Sequence, residues 1–299
     1  MLEARPLHPT LAREVVGLNL WGELDEATVA ELHDLYARYG VLVFRRQALC
    51  EAELAAFCAL FGPLERTVRS DWASRTTPEV TVLSNLKDGF GRPIGGLGDG
   101  ELQWHSDQSY MMKPATGAAL YALELRAACG ETFWVDLRAA YAGMPRRLQA
   151  QIAAKRGNFD YAKRLAGYGR ETDRRISDEA RRLTPAVTHA LVRAHPETGA
   201  RSLYLDSTTT IGIDAMDTTS GLALLDEVYA SATRNDFVYA HQWQVGDLVL
   251  WDNGFTMHRR TPFDPGARRL MKRLTMNLDR SRHVIPDGRL SQSEVGMPI

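Results

Sequence analysis

The fold class is decided by the stretch GDLVLWDN at residues 246–253, whose apolar and β-branched run at 247–251 indicates a short strand that ends in a turn. Similar runs recur outward from it in both directions, at residues 41–44, 79–83, 115–125, 186–192, 202–206, 237–243 and 270–278. Many short strands separated by turns are typical of an antiparallel barrel or jelly roll. We therefore predict a mainly β protein with helices packed outside the strands, an α+β fold.

Helical periodicity is strongest at residues 25–39, where Asp25 is a plausible N-cap and Gly40 a stop signal. A second helix is predicted at 51–61, and helical patterns also occur at 145–154 and 221–233. These helices lie near the start of the chain and between strands, as expected for helices that flank a sheet.

Two segments do not fit regular structure. Residues 86–100 contain six glycines, and residues 156–182 are rich in charge but poor in periodicity. A loop of the first kind is either a mobile lid or a plain surface excursion, and we interpret the second as a flexible insertion. No linker composition divides the chain, so we expect one domain over residues 1–299, with both segments as candidate active-site lids.

Composition excludes several classes of protein. The formal net charge of −1 gives no electrostatic reason to expect nucleic acid or an anionic membrane as a partner. No apolar stretch approaches the roughly 20 residues of a membrane span, and the N-terminus lacks the apolar core of a signal peptide. We therefore expect a cytoplasmic protein. The three cysteines, Cys50, Cys58 and Cys129, have no paired metal spacing and are interpreted as small buried hydrophobic residues.

The chemistry is concentrated in the motif WHSD at residues 104–107. Residues i and i+2 of an extended strand project to the same face, so His105 and Asp107 are expected to point at a common spot. His258 follows the strand and turn at 247–253 and lies 258 − 105 = 153 positions after His105. Two histidines and one carboxylate form the facial triad that holds iron(II) while leaving coordination positions open.

An anionic co-substrate on such a metal needs a cationic partner. In the segment ARRLMKR at 267–273, alternation places Arg269, Met271 and Arg273 on one face of a predicted strand. The planar arginine fork can bind a carboxylate through two parallel hydrogen bonds. The alternative is that these residues form only a solvated basic face.

These motifs identify a resemblance that covers nearly the whole chain. The following motifs occur in this order along the chain: EVVGLNL at 14–20, YGVLVFR at 39–45, FGPL at 61–64, WHSD, GETFW at 130–134, AHPETG at 194–199, GDLVLWDN, TMH at 256–258 and RRLM at 268–271. The chain thus resembles the taurine dioxygenase and 2,4-dichlorophenoxyacetate dioxygenase family of Fe(II)- and 2-oxoglutarate-dependent enzymes. The resemblance implies a double-stranded β-helix (jelly roll) core, with Fe(2+), 2-oxoglutarate and O₂ as cofactor and co-substrates.

The resemblance also implies residue roles. His105, Asp107 and His258 match the catalytic iron ligands, while Arg269 and Thr132 match the residues that hold the far carboxylate of 2-oxoglutarate. The turn residues 251–253 are expected to be structural. His189 and His195 match no family ligand and are expected to be core or turn histidines.

The sequence departs from the family pattern at two positions. Gly254 stands where many members have arginine, and Asp206 stands where asparagine is common. Neither position belongs to the triad, so the departures bear on local packing and on the substrate.

The implied reaction is hydroxylation of a small organic substrate with release of succinate and CO₂. Sulfonates, aryloxyalkanoates, amino-acid derivatives and natural-product intermediates are the candidate substrates, and an anionic one is expected. Arg273, Gln108 and Glu101 are the candidate substrate-binding residues, although Arg273 could instead brace the 2-oxoglutarate site or a nearby carboxylate. A homodimer or homotetramer is expected from the family.

Two other functions remain open at this point. A zinc or manganese hydrolase could use the same two histidines and aspartate, but it would not need Arg269 or Thr132. A non-catalytic protein that senses 2-oxoglutarate is the second alternative.

Overall fold

The computed structural model describes residues 1–66, 70–126, 130–166 and 176–291. Within these ranges the largest sheet has eight strands, in the spatial order β1 (Glu3–Pro6), β2 (Arg13–Val16), β3 (Val41–Phe44), β15 (Leu248–Asp252), β7 (Gly117–Leu125), β17 (Arg269–Met276), β4 (Thr81–Ser84) and β5 (Gly96–Leu97). The pairs β2–β3 and β4–β5 are parallel, and the other pairs of this sheet are antiparallel. The sheet is therefore mixed rather than purely antiparallel.

A smaller sheet faces it. Among the described residues this sheet has four strands, in the order β14 (Val238–His241), β8 (Thr132–Asp136), β16 (Thr256–Arg260) and β6 (Leu102–His105). The remaining described strands are β13 (Thr210–Ile213), β9 (Arg156–Phe159), β10 (Val187–Ala190) and β18 (Arg289–Leu290) in one sheet, and the pair β11 (Val192–Ala194) and β12 (Arg201–Leu203).

Helices cover the outer faces of the two main sheets. Their bounds are α1 (Glu26–Tyr39), α2 (Glu51–Ala59), α3 (Leu137–Ala142), α4 (Arg146–Ile152), α5 (Tyr161–Ala166), α6 (Asp178–Leu183) and α7 (Thr218–Ala232), and short 3₁₀ turns lie at Ser70–Trp72 and Asn235–Phe237. Helices α1 and α2 pack against the eight-stranded sheet, and α3, α4 and α7 pack against the four-stranded sheet. Within the described part of the chain, no helix is both long enough and apolar enough to span a membrane.

Strand β15 shows how the layers are built. Leu248 and Leu250 belong to the core under the helices, whereas Val249 and Trp251 belong to the core between the sheets. This division follows from the two-residue period of a strand. The Trp251 ring lies 5.7 Å from the ring of Trp134 in β8, so the two tryptophans join the facing sheets.

Helix α1 confirms the sequence prediction. The Asp25 side chain accepts a hydrogen bond from the Thr28 backbone N–H at 2.7 Å, and Gly40 ends the helix with φ of 68°. A Cβ atom on Gly40 would lie 2.3 Å from the Phe255 ring. Glycine is thus required there by both conformation and packing.

Some expectations were wrong. Residues 86–100 include the short strand β5, and the segment expected as a flexible insertion at 156–182 begins with β9, which lies between β13 and β10. Residues 167–175 lie outside the described residues. Cys58 is buried as predicted, Cys50 is exposed, and Cys129 lies outside the described residues.

Candidate metal centre and active site

The two histidines of the predicted triad are cross-strand neighbours. His105 is the last residue of β6, and it pairs in register with His258 in the middle of β16. Directly opposed residues of antiparallel strands project to the same face of the sheet. The two imidazole rings accordingly lie 4.1 Å apart.

Asp107 reaches this site from a turn rather than from the strand. Strand β6 ends at His105, so the two-residue alternation used for the prediction does not apply to Asp107. The turn is fixed by Ser106, whose hydroxyl lies within hydrogen-bond distance of the carbonyls of Leu205 and Thr256 at 3.2 and 3.0 Å. In this arrangement Asp107 Oδ1 lies 3.9 Å from Nε2 of each histidine.

The turn after β15 supports the same aspartate. Asn253 Oδ1 accepts hydrogen bonds from the Asp107 backbone N–H at 3.4 Å and from Trp251 Nε1 at 3.0 Å. Asp252 accepts from the Gly254 N–H and lies 2.6 Å from His283 Nδ1. The predicted structural role of this turn is consistent with these contacts, whereas His283 has no motif in the sequence that would reveal its contribution.

The protonation states suit metal binding. Burial, followed by the Arg164 guanidinium, lowers the pKa of His105, and burial, followed by the His105 imidazole, holds the pKa of His258 well below its usual range. Burial alone would raise the pKa of Asp107, but nearby positive charge, foremost the Arg273 guanidinium, outweighs burial and holds that pKa well below its usual range. Both imidazoles are therefore neutral and the carboxylate is ionised.

These three side chains fit an iron(II) ion. Their ligand atoms lie within 4.8 Å of one another, and all three residues are buried. His105 Nδ1 lies 2.7 Å from the Gln103 carbonyl oxygen, so Nδ1 carries the proton and Nε2 has the free lone pair. Two neutral imidazoles and one carboxylate are the donor set of the non-haem iron facial triad.

The triad lies in the wall of a cavity of about 180 Å³ that also contains Thr132 and Arg269. The Arg269 side chain is buried, its guanidinium carbon lies 5.6 Å from the centre of the Phe263 ring, and its backbone N–H donates to Asn85 Oδ1 at 3.1 Å. Thr132 Oγ1 accepts a hydrogen bond from Trp243 Nε1 at 2.9 Å. The two residues expected at the 2-oxoglutarate site thus share one cavity with the triad.

The three expected substrate contacts are placed differently from one another. Arg273 lines the cavity, with its Nη2 atom 2.9 Å from Asp107 Oδ2. Gln108 also lines it, with a left-handed φ of 54° and its amide 3.4 Å from Glu65 Oε2. Glu101 directly precedes β6, is exposed and is not among the lining residues, so the cavity gives its expected role no support.

Motif reasoning missed most of the outer part of the cavity. Its additional lining residues include Glu65, Arg66, Trp72, Tyr110, Tyr161 and Arg164. They come from four separate segments, and none has a neighbouring residue at a diagnostic spacing. The only sequence signal is the broad expectation that segment 156–182 covers the active site, and it concerns Tyr161 and Arg164 alone.

The remaining histidines do not join the triad within the described residues. His189 is buried with Nε2 3.0 Å from the Met111 carbonyl oxygen, and His195 Nδ1 accepts from the Glu197 N–H at 3.3 Å. Both are core or turn histidines, as predicted. His241 is buried between Tyr239 and Asp247.

The two departures from the family pattern have structural reasons. A Cβ atom on Gly254 would lie 2.0 Å from the Val284 carbonyl oxygen. Asp206 is fully buried, and its carboxylate accepts hydrogen bonds from Ser109 Oγ and from the backbone N–H groups of Thr208 and Thr209. Gly254 thus leaves room for the backbone around Val284, and the Asp206 carboxylate stabilises a local turn.

The chain is similar to known proteins over most of its length. Residues 3–275 match the family described as "Taurine catabolism dioxygenase TauD, TfdA family". The chain is 34% identical over 286 residues to the "Alpha-ketoglutarate-dependent 2,4-dichlorophenoxyacetate dioxygenase" of Cupriavidus pinatubonensis, which covers 91% of this chain and 96% of that protein. It is 29% identical over 280 residues to the "Pentalenolactone F synthase" of Streptomyces avermitilis, which covers 89% of this chain and 90% of that protein.

A solved structure is similar over nearly the whole chain. The crystal structure of AAD-2 in complex with Mn(II) and N-oxalylglycine superimposes with a TM-score of 0.79 and 30% sequence identity. The match covers 94% of this chain and 98% of that one.

Proposed function

Since the chain belongs to the taurine catabolism dioxygenase TauD, TfdA family and is an iron(II)- and 2-oxoglutarate-dependent dioxygenase, we propose that it hydroxylates a small anionic organic substrate. The observation that carries this proposal is the buried cluster of His105, Asp107 and His258 in one cavity with Thr132 and Arg269.

The three clustered residues are proposed as the iron ligands. Iron(II), with 2-oxoglutarate and O₂, supplies the oxidising power for C–H hydroxylation, with release of succinate and CO₂. The protein's part is to present two neutral imidazoles and one ionised carboxylate on one side of the ion. Their burial under the sheets limits the access of water to the reacting groups.

Arg269 and Thr132 are proposed to hold the far carboxylate of 2-oxoglutarate. Arg269 supplies a charged fork, and the Trp243 indole that donates to Thr132 Oγ1 leaves the hydroxyl hydrogen of Thr132 available for donation to the carboxylate. The cavity wall also includes Leu83, Leu97 and Leu120, so the carboxylate would lie in a partly apolar cavity where the ion pair is stronger than in water.

Arg273 is proposed to contact the anionic group of the substrate. Its position in the cavity supports this role, and its contact with Asp107 supports the alternative in which it braces that carboxylate. The two roles are compatible because a guanidinium group has five N–H donors. The name of one relative includes an aryloxyacetate, which supports an organic acid as substrate. Hydroxylation at a carbon that bears an ether oxygen would lead to cleavage of the C–O bond.

The proposal extends to the architecture. The facing eight-stranded and four-stranded sheets support a double-stranded β-helix, or jelly-roll, core. We also propose a single domain over residues 1–299, with lids at 86–100 and 156–182. The protein is further proposed to form a homodimer or homotetramer and to be cytoplasmic. Leu97 in the first segment and Tyr161 in the second line the cavity, which supports the assignment of both segments as lids.

The family of the chain argues against both alternatives that the sequence left open, and the dependence of turnover on oxygen tests the difference directly. A hydrolase needs no 2-oxoglutarate, so its turnover would be independent of O₂ and would release no succinate. The sensor alternative predicts 2-oxoglutarate binding without any substrate-stimulated turnover. Succinate release with iron(II), ascorbate, 2-oxoglutarate and a panel of anionic substrates separates the three functions.

The ligand assignment is tested by substituting each triad residue with alanine. We expect His105→Ala, Asp107→Ala and His258→Ala each to abolish succinate production and to weaken binding of Mn(II), because too few donors remain to hold the ion. His33→Ala, a histidine on α1 outside the cavity, is the matched control. Full turnover in any of the three variants would remove that residue from the ligand set.

The role of Arg273 is tested by Arg273→Gln, which keeps hydrogen-bonding capacity but removes the charge. We expect a larger loss of affinity for the substrate than for 2-oxoglutarate. An equal loss for both ligands, or a neutral molecule as the best substrate, would contradict this assignment.

A further inference from the structure

Helix α5 lies beside the mouth of the cavity and contributes two of its lining residues, Tyr161 and Arg164. None of its side chains is fully buried, so packing against the core does not by itself explain why the helix is held there. Six residues are also too few for a helix to be stable in isolation. Its position must therefore come from particular contacts.

Contacts of three residues, Tyr161, Lys163 and Asp160, hold α5 in place. The Tyr161 ring lies 4.4 Å from the ring of Tyr110, in the turn that also carries Asp107. Lys163 Nζ donates to the Thr210 carbonyl oxygen at 2.7 Å. Asp160 accepts from the Ala162 N–H at 2.8 Å and from Arg181 Nη1 at 2.9 Å. Together these contacts hold Arg164 in a defined place relative to the triad.

Arg164 and Arg273 line the same cavity as the triad but come from separate elements. Arg164 lies in α5, and Arg273 lies in β17 with its Nη2 atom 2.9 Å from Asp107 Oδ2. The cavity thus presents two guanidinium groups from different parts of the fold.

The cavity carries more positive than negative charge. Its lining includes five arginines, Arg66, Arg164, Arg260, Arg269 and Arg273, against the two carboxylates of Glu65 and Asp107. Binding of an iron(II) ion together with doubly charged 2-oxoglutarate would leave this excess unchanged. An anionic group of the substrate would interact favourably with this positively charged lining.

We propose that Arg164 determines substrate specificity, with its guanidinium group and that of Arg273 binding one oxyanion headgroup of the substrate. This inference rests on the proposed dioxygenase function. The headgroup is a carboxylate, sulfonate or sulfate, since each offers oxygen atoms to two arginine forks at once. Tyr161 and Tyr110 are positioning residues that keep Arg164 at the mouth of the cavity.

The two-arginine arrangement has a consequence for selectivity. A neutral analogue of the same shape offers neither guanidinium group a charged hydrogen-bond partner, so it gains less free energy on binding than the anion does. Affinity should therefore depend on the headgroup more than on the remainder of the substrate.

The experiment measures binding by isothermal titration calorimetry to protein loaded with Mn(II) and 2-oxoglutarate, without turnover. The probes are 2,4-dichlorophenoxyacetate as a carboxylate, hexyl sulfate as a sulfate ester, and 2,4-dichlorophenoxyacetamide as a neutral analogue. The variants are Arg164→Gln, Arg164→Lys and Arg182→Gln, the last being a matched loss of charge at an exposed position of α6.

We expect at least one anion to bind the unaltered protein more tightly than the neutral amide. Arg164→Gln should lower the affinity for that anion about 30-fold or more, as expected when one partner of a charged hydrogen-bonded pair is lost. Arg164→Lys should give an intermediate affinity, because it keeps the charge without the fork. Arg182→Gln should bind as the unaltered protein does, and 2-oxoglutarate affinity should be similar in every variant.

Several results would overturn the proposal. These are an unchanged anion affinity in Arg164→Gln, an equal loss of 2-oxoglutarate affinity, tighter binding of the amide, or dissociation constants above about 10 mM for both anions. Failure of the unaltered protein to bind 2-oxoglutarate would instead refute the proposed function. The relative affinity of the two anions identifies which headgroup Arg164 and Arg273 prefer.

Discussion

At the scale of single residues, Arg269 provides the sharpest test of the co-substrate site. Arg269→Ala should raise the concentration of 2-oxoglutarate needed for half-maximal succinate production, since a charged fork in a buried wall is lost. Losing such a partner costs about 2–5 kcal/mol, which is roughly 30-fold to several thousand-fold in affinity. The matched control is Arg268→Ala, because Arg268 is exposed and pairs with Glu124. Equal 2-oxoglutarate dependence in the two variants would rule out the assignment of Arg269.

Gly254 gives a second prediction at this scale. Gly254→Ala would bring a methyl group against the Val284 carbonyl oxygen, so one of the two backbone segments must shift. We expect a loss of about 1–3 kcal/mol in the free energy of unfolding, as for other overpacked sites. Gly89→Ala is the control, because nothing lies within 4 Å of a Cβ atom there. Similar thermal unfolding midpoints for both variants would show that the segment around Val284 adapts easily.

The site residues differ in how far the sequence could predict them. His105, Asp107, His258, Thr132 and Arg269 lie in ordered motifs, and the structure brings all five to one cavity. Arg164 and Tyr161 belong to a charged segment without periodicity, and their place depends on contacts with Tyr110 and Thr210. Such long-range contacts leave no pattern in the local sequence.

At the scale of secondary structure elements, Glu51 joins the start of α2 to two other parts of the fold. Its carboxylate accepts from Ser74 Oγ at 2.6 Å and from Thr76 Oγ1, and it lies 3.0 Å from Lys272 Nζ in β17. Burial raises its pKa, but these three partners outweigh burial and lower the pKa of Glu51 to about 2. The ionised form is thus favoured by folding.

The pH dependence of this stabilisation has a definite sign. A carboxyl with a lower pKa in the folded state adds stability above its unfolded value of about 4.3, and that stability is lost as the pH falls toward about 2. Glu51→Gln should lower the free energy of unfolding at pH 7 by about 1–3 kcal/mol, and the deficit should be smaller at pH 4. Thermal unfolding at both pH values measures it. Glu227→Gln removes one partner of an exposed ion pair with Arg147, so it should change the free energy of unfolding little. A loss of stability in Glu51→Gln that does not depend on pH would contradict the prediction.

Elements with strong local signals were predicted, and those without them were not. Helix α1 has an N-cap at Asp25 and a stop at Gly40, and β15 has an unbroken apolar run. Strand β9 has the sequence RGNF, in which only Phe159 is typical of a strand, and its pairing with β13 and β10 holds it in place. Tertiary pairing can therefore form a strand that propensity alone does not indicate.

At the scale of the whole molecule, buried neutral histidines make the fold sensitive to acid. Burial, followed by the Arg193 charge, lowers the pKa of His189 to about 3, against about 6.5 in an unfolded chain. Between these values the unfolded chain binds a proton that the folded protein does not. Stability therefore falls as the pH falls from about 6.5 toward 3, by up to about 1.4 kcal/mol per pH unit.

This effect predicts a measurable difference between variants. His189→Gln removes the titrating group, so its unfolding midpoint should fall less between pH 6.5 and pH 5 than that of the unaltered protein. Val187→Ala removes a buried apolar neighbour on the same strand and should keep the original pH dependence. Parallel pH profiles for all three proteins would mean that His189 does not contribute to acid sensitivity.

The pairing of His105 with His258 has a consequence for the dynamics of the four-stranded sheet. Among the described strands, β6 lies at the edge of this sheet and is paired only with β16, through an irregular register. A metal ion held by both histidines would tie this edge strand to its neighbour across 152 intervening residues, much as a covalent cross-link closes a long loop. Removal of the ion should therefore increase amide hydrogen exchange in β6 while leaving β15 protected. Metal supply would then control how often the sheet edge opens, and with it the exposure of an unpaired strand to other chains.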